Sequence, residues 1–128
     1  MTLDSSALIA ILFAEPNHLD LVDRVLEAGS ARVGAPTLVE TSMVFIARRG
    51  SGTGREVDEL VKELGITVVP FGEPEWQAAT AAFHKYGRGR HRASLNFGDC
   101  LAYATAAVAG DSLLFVGDDF THTGITPA

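Results

Sequence analysis

A carboxylate closes the first apolar stretch almost as soon as the chain begins. Met1-Thr2-Leu3 is followed by Asp4 and then by Ser5-Ser6-Ala7-Leu8-Ile9. Ser hydroxyls suit a helix N-cap, because an oxygen on a short side chain accepts from the free backbone N–H groups of the first turn. Strand, carboxylate, capped helix is a constraining order: in an open α/β sheet, ligands bind outside the carboxyl ends of the strands. Asp4 also suits a plain cap, although Ser5 or Ser6 alone would serve.

The rest of the chain continues this alternation. Ser5 to Ala14 reads as a helix ending before Pro16, with Ala7, Leu8, Ile11 and Leu12 on one face. His18 to Ala28 reads as a surface amphipathic helix with Leu19, Val22 and Leu26 as its apolar positions, stopped by Gly29. Arg32-Val33-Gly34 is a short strand candidate, and Pro36 pre-sets a helix running through Leu38, Val39, Met43, Val44 and Ile46 to Arg49. Gly50 to Gly54 connects it to a helix over Arg55 to Leu64, and the β-branched run from Ile66 to Pro70 predicts a strand. Glu73 to Tyr86 returns to helical spacing. Asp99 opens an Ala-rich helix that Gly110 ends, and Leu113 to Val116 is a buried-strand candidate. Strands alternating with helices predict an α/β fold whose parallel sheet is covered on both faces. With 128 residues, 47% of them hydrophobic, the expectation is one domain over residues 1–128.

Three further acidic positions share the habit of Asp4. Glu40 lies inside Thr37-Leu-Val-Glu-Thr-Ser-Met-Val, Asp99 follows Asn96-Phe-Gly, and Asp118-Asp119 follow Leu113 to Val116. Strand ends and helix starts face the same edge of a parallel sheet. Carboxylates converging there raise one another's pKa unless a cation intervenes. Oxygen-only ligands favour Mg²⁺ or Mn²⁺ over zinc, and such ions keep waters that can attack a phosphodiester. Each acid has a plainer role open to it. Asp99 complements a helix dipole, Glu40 can pair with Arg48 or Arg49 across an interface, and Asp118 and Asp119 can shape a turn. Ser5, Ser6 and Asn96 are placed to orient carboxylates or waters by hydrogen bonds.

The net charge of −6 argues against binding nucleic acid through overall positive charge, which requires many phosphate contacts by Lys and Arg. Any such site must be local. Lys85, Arg88, Arg90 and Arg92, four of the ten basic residues, fall in one short segment with His84 and His91 just ahead of Asp99. Apolar periodicity vanishes from Gly87 to Asn96, so this segment reads as a basic surface loop and a local phosphate-binding footprint, with Arg88, Arg90 and Arg92 as candidate substrate contacts. The alternative is a solvated loop whose glycines give only flexibility. Tyr86 and Phe97 flank it and suit either base stacking or core packing.

The single cysteine, Cys100, excludes an internal disulfide and a Cys-rich zinc site. No apolar run reaches the roughly 20 residues needed to span a bilayer, and no signal-peptide pattern opens the chain, so the cytoplasm and no membrane partner are expected. Neither a phosphate-cradling Gly-Lys motif nor a Ser-His-Asp order is present.

Asp4-Ser5-Ser6-Ala7-Leu8, Glu40 on the third helix, Leu95-Asn96-Phe97-Gly98-Asp99-Cys100 and Leu113-Leu-Phe-Val-Gly-Asp-Asp-Phe120 together resemble PIN-domain ribonucleases, specifically the VapC toxins of VapBC toxin-antitoxin modules. The match runs in order along essentially the whole chain. The resemblance implies a three-layer α/β/α fold with a central, mainly parallel sheet, Mg²⁺- or Mn²⁺-dependent cleavage of RNA, and a homodimer. It also implies inhibition by a VapB-type antitoxin whose C-terminal segment occupies a groove by the active site. Asp4, Glu40 and Asp99 match the family's acidic positions, with Asp4 and Asp99 as direct metal ligands. An acid immediately before the Phe of the last turn favours Asp119 over Asp118 as the fourth. Ser5 stands where Thr is common, and the segment from Tyr86 to Asp99 resembles a basic insertion of one branch.

The function expected is therefore a toxin endoribonuclease in which metal-activated water attacks phosphorus, leaving 5′-phosphate and 3′-hydroxyl ends. Two rivals stand beside it. One is a metal-dependent phosphohydrolase with Asp4 as nucleophile, which usually needs an Asp two residues on, where this chain has Ser6. The other is a non-catalytic domain that binds RNA or a partner.

Overall fold

Four short strands and six helices account for the chain, and the computed structural model describes all 128 residues. In chain order they are β1 (Thr2–Leu3), α1 (Ser5–Leu12), α2 (His18–Glu27), β2 (Ala31–Gly34), α3 (Ala35–Arg49), α4 (Arg55–Glu63), β3 (Ile66–Val69), α5 (Glu73–Tyr86), α6 (Phe97–Ala109) and β4 (Leu113–Leu114). The sheet order is β3-β2-β1-β4, and every neighbouring pair is parallel. From β1 the chain steps outward through β2 to β3 and then crosses back to place β4 on the other side of β1. The order reverses between β1 and β4, which is where an open sheet of this kind forms its ligand crevice.

Side chains leave a strand on alternating faces. Leu3 and Leu114 enter one apolar cluster with Leu8 of α1, Leu21 and Val25 of α2, Val33 and Ile66. Leu113 points the other way, into a second cluster with Ala82 and Tyr86 of α5, Leu95, Cys100 and Ala102 of α6, and Phe120. Two cores on either side of one sheet make the three-layer α/β/α arrangement. α3 packs against both α1 and α6 and so links the layers at the sheet edge. No helix is long and apolar enough to cross a membrane.

Several elements depart from the sequence reading: α6 begins at Phe97 rather than Asp99, and three others differ for reasons the structure shows. α1 stops at Leu12 rather than Ala14, because Ala14 takes the left-handed φ of 48°, a conformation that ends a right-handed helix. α2 buries Leu21 and Val25, not the expected stripe: Leu19 is 67% and Leu26 57% exposed. Apolar residues at 19, 21, 22, 25 and 26 form two overlapping stripes, and α1 covers the one spaced 21 and 25. β4 ends at Leu114 rather than Val116, because the Val116 N–H donates to Ser6 Oγ (3.0 Å) instead of to a strand. The backbone after β4 is thus diverted toward Ser6, two residues beyond Asp4.

The Gly87 to Asn96 segment is better tied than its composition suggests. Leu95 N–H donates to Tyr86 O (2.9 Å) and Arg88 N–H to Leu95 O (3.0 Å), while Ala93 and Leu95 are buried. Tyr86 belongs to the core, and Phe97 is 79% exposed.

Candidate active site

Asp4 caps α1 at the carboxyl end of the central strand. Its Oδ2 accepts from both the backbone N–H (3.1 Å) and the hydroxyl (2.6 Å) of Ser6. The same Ser6 oxygen accepts from Val116 N–H, so one hydroxyl ties Asp4 to the end of β4 across the crevice. Asp4 is buried, and its carboxyl lies above the ordinary range chiefly because of that burial. The Ser6 hydrogen bonds oppose the rise and the charge of Glu40 adds to it.

Asp99 sits in the first turn of α6 in a reciprocal cap. Asp99 N–H donates to Asn96 Oδ1 (2.9 Å), and Asn96 N–H donates to Asp99 Oδ2 (3.0 Å). This capping box satisfies two otherwise free donors and fixes the carboxylate at the helix mouth. Its pKa is raised to about 6, first by burial, against the Asn96 hydrogen bond, and then by the negative charges of Asp119, Asp4 and Glu40. These mutual effects reflect four acids from four segments meeting at one edge: the ends of β1 and β4, α3, and the start of α6.

Glu40 lies in the second turn of α3. Its Oε1 is buried and has no hydrogen-bond partner. Arg48 and Arg49 lie elsewhere, each 5.0 Å from the centre of the Phe13 ring. Asp119 is exposed in the turn after β4, and its charge is among those acting on Asp99. Asp118 shapes that turn, its carbonyl accepting from Thr121 N–H (3.1 Å) and Thr121 Oγ1 (2.7 Å). Ser5 opens α1 beside Asp4.

The donor set has a clear chemistry. None of the chain's ion pairs involves these acids; they join Asp111 to Arg32 and the first residue's ammonium, Asp20 to Arg24, and Asp58 to Lys62. Burying unpaired carboxylates together is costly, and a lone buried oxygen such as Glu40 Oε1 adds to the cost. A divalent cation would supply the missing positive charge. The acids offer only oxygen donors, with no His or Cys among them, a donor set that suits Mg²⁺ or Mn²⁺ better than zinc. Mg²⁺ keeps several waters and takes only one or two carboxylates directly, leaving room for substrate phosphate.

Two further surfaces lie on the elements that carry these acids. Arg88, Arg90 and Arg92 are exposed on the segment leading into α6, and Arg90 lies 5.6 Å from the centre of the Phe83 ring. An open apolar groove between α3, α5 and α6 reaches from there to Glu40 and Gly98, lined by Val39, Met43, Trp76, Phe83 and Phe97. Met43 is 65% and Trp76 61% exposed. The sequence reading did not single out this groove. Val39, Met43 and Ile46 recur at helical spacing on α3, and the same spacing would serve a core face.

A model of the PIN domain matches residues 1–125. The chain is 40% identical over 126 residues to ribonuclease VapC30 of Mycobacterium tuberculosis, covering 98% of this chain and 95% of that protein. Among solved structures, it resembles M. tuberculosis VapC20, described as a sarcin-ricin loop cleaving toxin, with a TM-score of 0.73 at 18% identity over 99% of this chain and 97% of the other. It also resembles a chain of a toxin-antitoxin complex from Klebsiella pneumoniae, with a TM-score of 0.68 at 19% identity and the same coverage. The family match and the near-full-length similarity agree with the fold, and the chain belongs to the PIN-domain family, among its VapC members.

Proposed function

We propose that the protein is a Mg²⁺- or Mn²⁺-dependent endoribonuclease, the cytoplasmic toxin of a toxin-antitoxin pair, with Asp4, Glu40, Asp99 and Asp119 as its catalytic acids. The observation that carries this reading is the gathering of the four carboxylates, without a protein cation, at the crevice between β1 and β4. Asp4 and Asp99 would bind the ion directly, with Glu40 and Asp119 completing the set. A bound divalent ion lowers the pKa of an attacking water and neutralises charge on the phosphodiester.

The chain's own residues supply the rest. Ser6 holds the Asp4 carboxylate through two hydrogen bonds, and Asn96 holds that of Asp99. Asp99, with a pKa near 6, is ionised at neutral pH and takes up a proton in mild acid. Arg88, Arg90 and Arg92 would clamp RNA phosphates beside the acids. The apolar groove suits an antitoxin segment lying next to the crevice, where it would exclude RNA, and a homodimer is the assembly that the family reading implies.

The test is to incubate the purified protein with total cellular RNA in Mg²⁺, Mn²⁺ or EDTA and to map the product ends. Discrete cuts that carry 5′ phosphates and disappear in EDTA are expected. Cyclic-phosphate ends would assign the attack to the ribose 2′-hydroxyl and refute this mechanism. Tight RNA or partner binding with no cleavage under any condition would make this a binding domain.

A further inference from the structure

Gly98 occupies the second position of α6, is buried, and immediately precedes Asp99. Its backbone is helical, with none of the left-handed φ that would call for glycine. Glycine in a helix costs stability relative to alanine, so its presence needs another reason. The space above its Cα gives one. The three nearest atoms to a Cβ built there all belong to Glu40: Oε2, which it would overlap, Cδ at 2.9 Å and Oε1 at 3.0 Å.

We infer that Gly98 is a positioning residue: the Glu40 carboxylate rests directly on its bare Cα and thereby reaches the crevice shared with Asp4 and Asp99. The contact joins α3 to the first turn of α6, next to the Asn96–Asp99 cap. An alanine methyl would displace the end of a flexible side chain rather than backbone. The fold therefore survives, and the third acid is pushed away from the other two.

The consequence for cleavage rests on the ribonuclease reading above; the contact itself does not. A stability cycle tests the contact: thermal unfolding in EDTA of wild type, Gly98→Ala, Glu40→Ala and the double variant. Removing the glycine in the Glu40→Ala background should raise Tm, because the carboxylate that the new methyl would meet is gone and alanine is the better helix former. In the wild-type background the displaced carboxylate should offset that rise. Equal Tm changes in both backgrounds would overturn the inference.

An activity cycle reads the consequence. Gly98→Ala should lower metal-dependent RNA cleavage roughly ten- to a hundredfold, the range expected when a reacting group is misplaced by about an ångström. The factor should shrink in a Glu40→Asp background, where the shorter side chain clears the methyl. The same factor in both backgrounds, or undiminished cleavage by Gly98→Ala, would refute the positioning role. Were the wild type to cut no RNA at all, the ribonuclease reading would fall while the Tm cycle still decided the contact.

Discussion

Asp99 carries two opposing duties. As a cap it holds the mouth of α6 together, and as a buried carboxylate among three others it is under electrostatic stress. Its folded-state pKa of about 6 lies above the ordinary 3.8, so between those values the folded state binds more protons than the unfolded one. By linkage, stability falls as pH rises through that window. Measured in EDTA, Tm should therefore decline from pH 4 to pH 6.5. Asp99→Asn keeps an oxygen to accept from Asn96 N–H and removes the charge, so it should raise Tm near pH 7 and flatten that decline. A variant that is more stable and inactive is the signature of a site that trades stability for chemistry. A lower Tm for Asp99→Asn at pH 7 would show the cap to outweigh the charge.

Each element contributes one piece and is shaped by it. β4 is cut short because Val116 turns to Ser6. α3 carries Glu40 on the flank that meets α6 and an exposed apolar stripe of Val39 and Met43 on the groove. Introducing charge there should leave the fold and cleavage intact while weakening antitoxin capture: Met43→Asp is expected to reduce affinity at least about tenfold, since burying an unpaired carboxylate is costly. Unchanged affinity would move the antitoxin to another surface. The segment before α6 is a hydrogen-bonded loop that presents three arginines. Replacing Arg88, Arg90 and Arg92 with Gln should weaken RNA binding and flatten its salt dependence by roughly two log units per log unit of salt, given about 0.7 per phosphate contact on single strands. An unaltered salt slope would place the RNA elsewhere.

For the molecule as a whole, the sequence made the order of strands and helices legible because Gly, Pro and Ser mark nearly every boundary, from Ser5 at α1 to Gly110 after α6. The acids at strand ends and helix starts were legible for the same reason: their positions follow from topology once the sheet is parallel. What escaped depends on contacts between distant segments. Periodicity alone does not tell which of two overlapping stripes α2 buries, nor that the apolar stripe of α3 faces a groove. Gly98 looks like any helix-start glycine until Glu40 is seen resting on it. Nor does sequence show that Ser6 bridges two strand ends, since its partner Val116 is 110 residues away.

The carboxylate cluster is what the fold assembles at the crevice between β1 and β4. The most direct test of its role is the cleavage rate of a defined cellular RNA pool by wild type and Asp99→Asn at saturating Mn²⁺, with both proteins shown to be folded. The account requires cuts by the wild type and a loss of about a hundred- to a thousandfold in the variant, as for other groups that act on the transition state. Comparable cleavage by both proteins would contradict it.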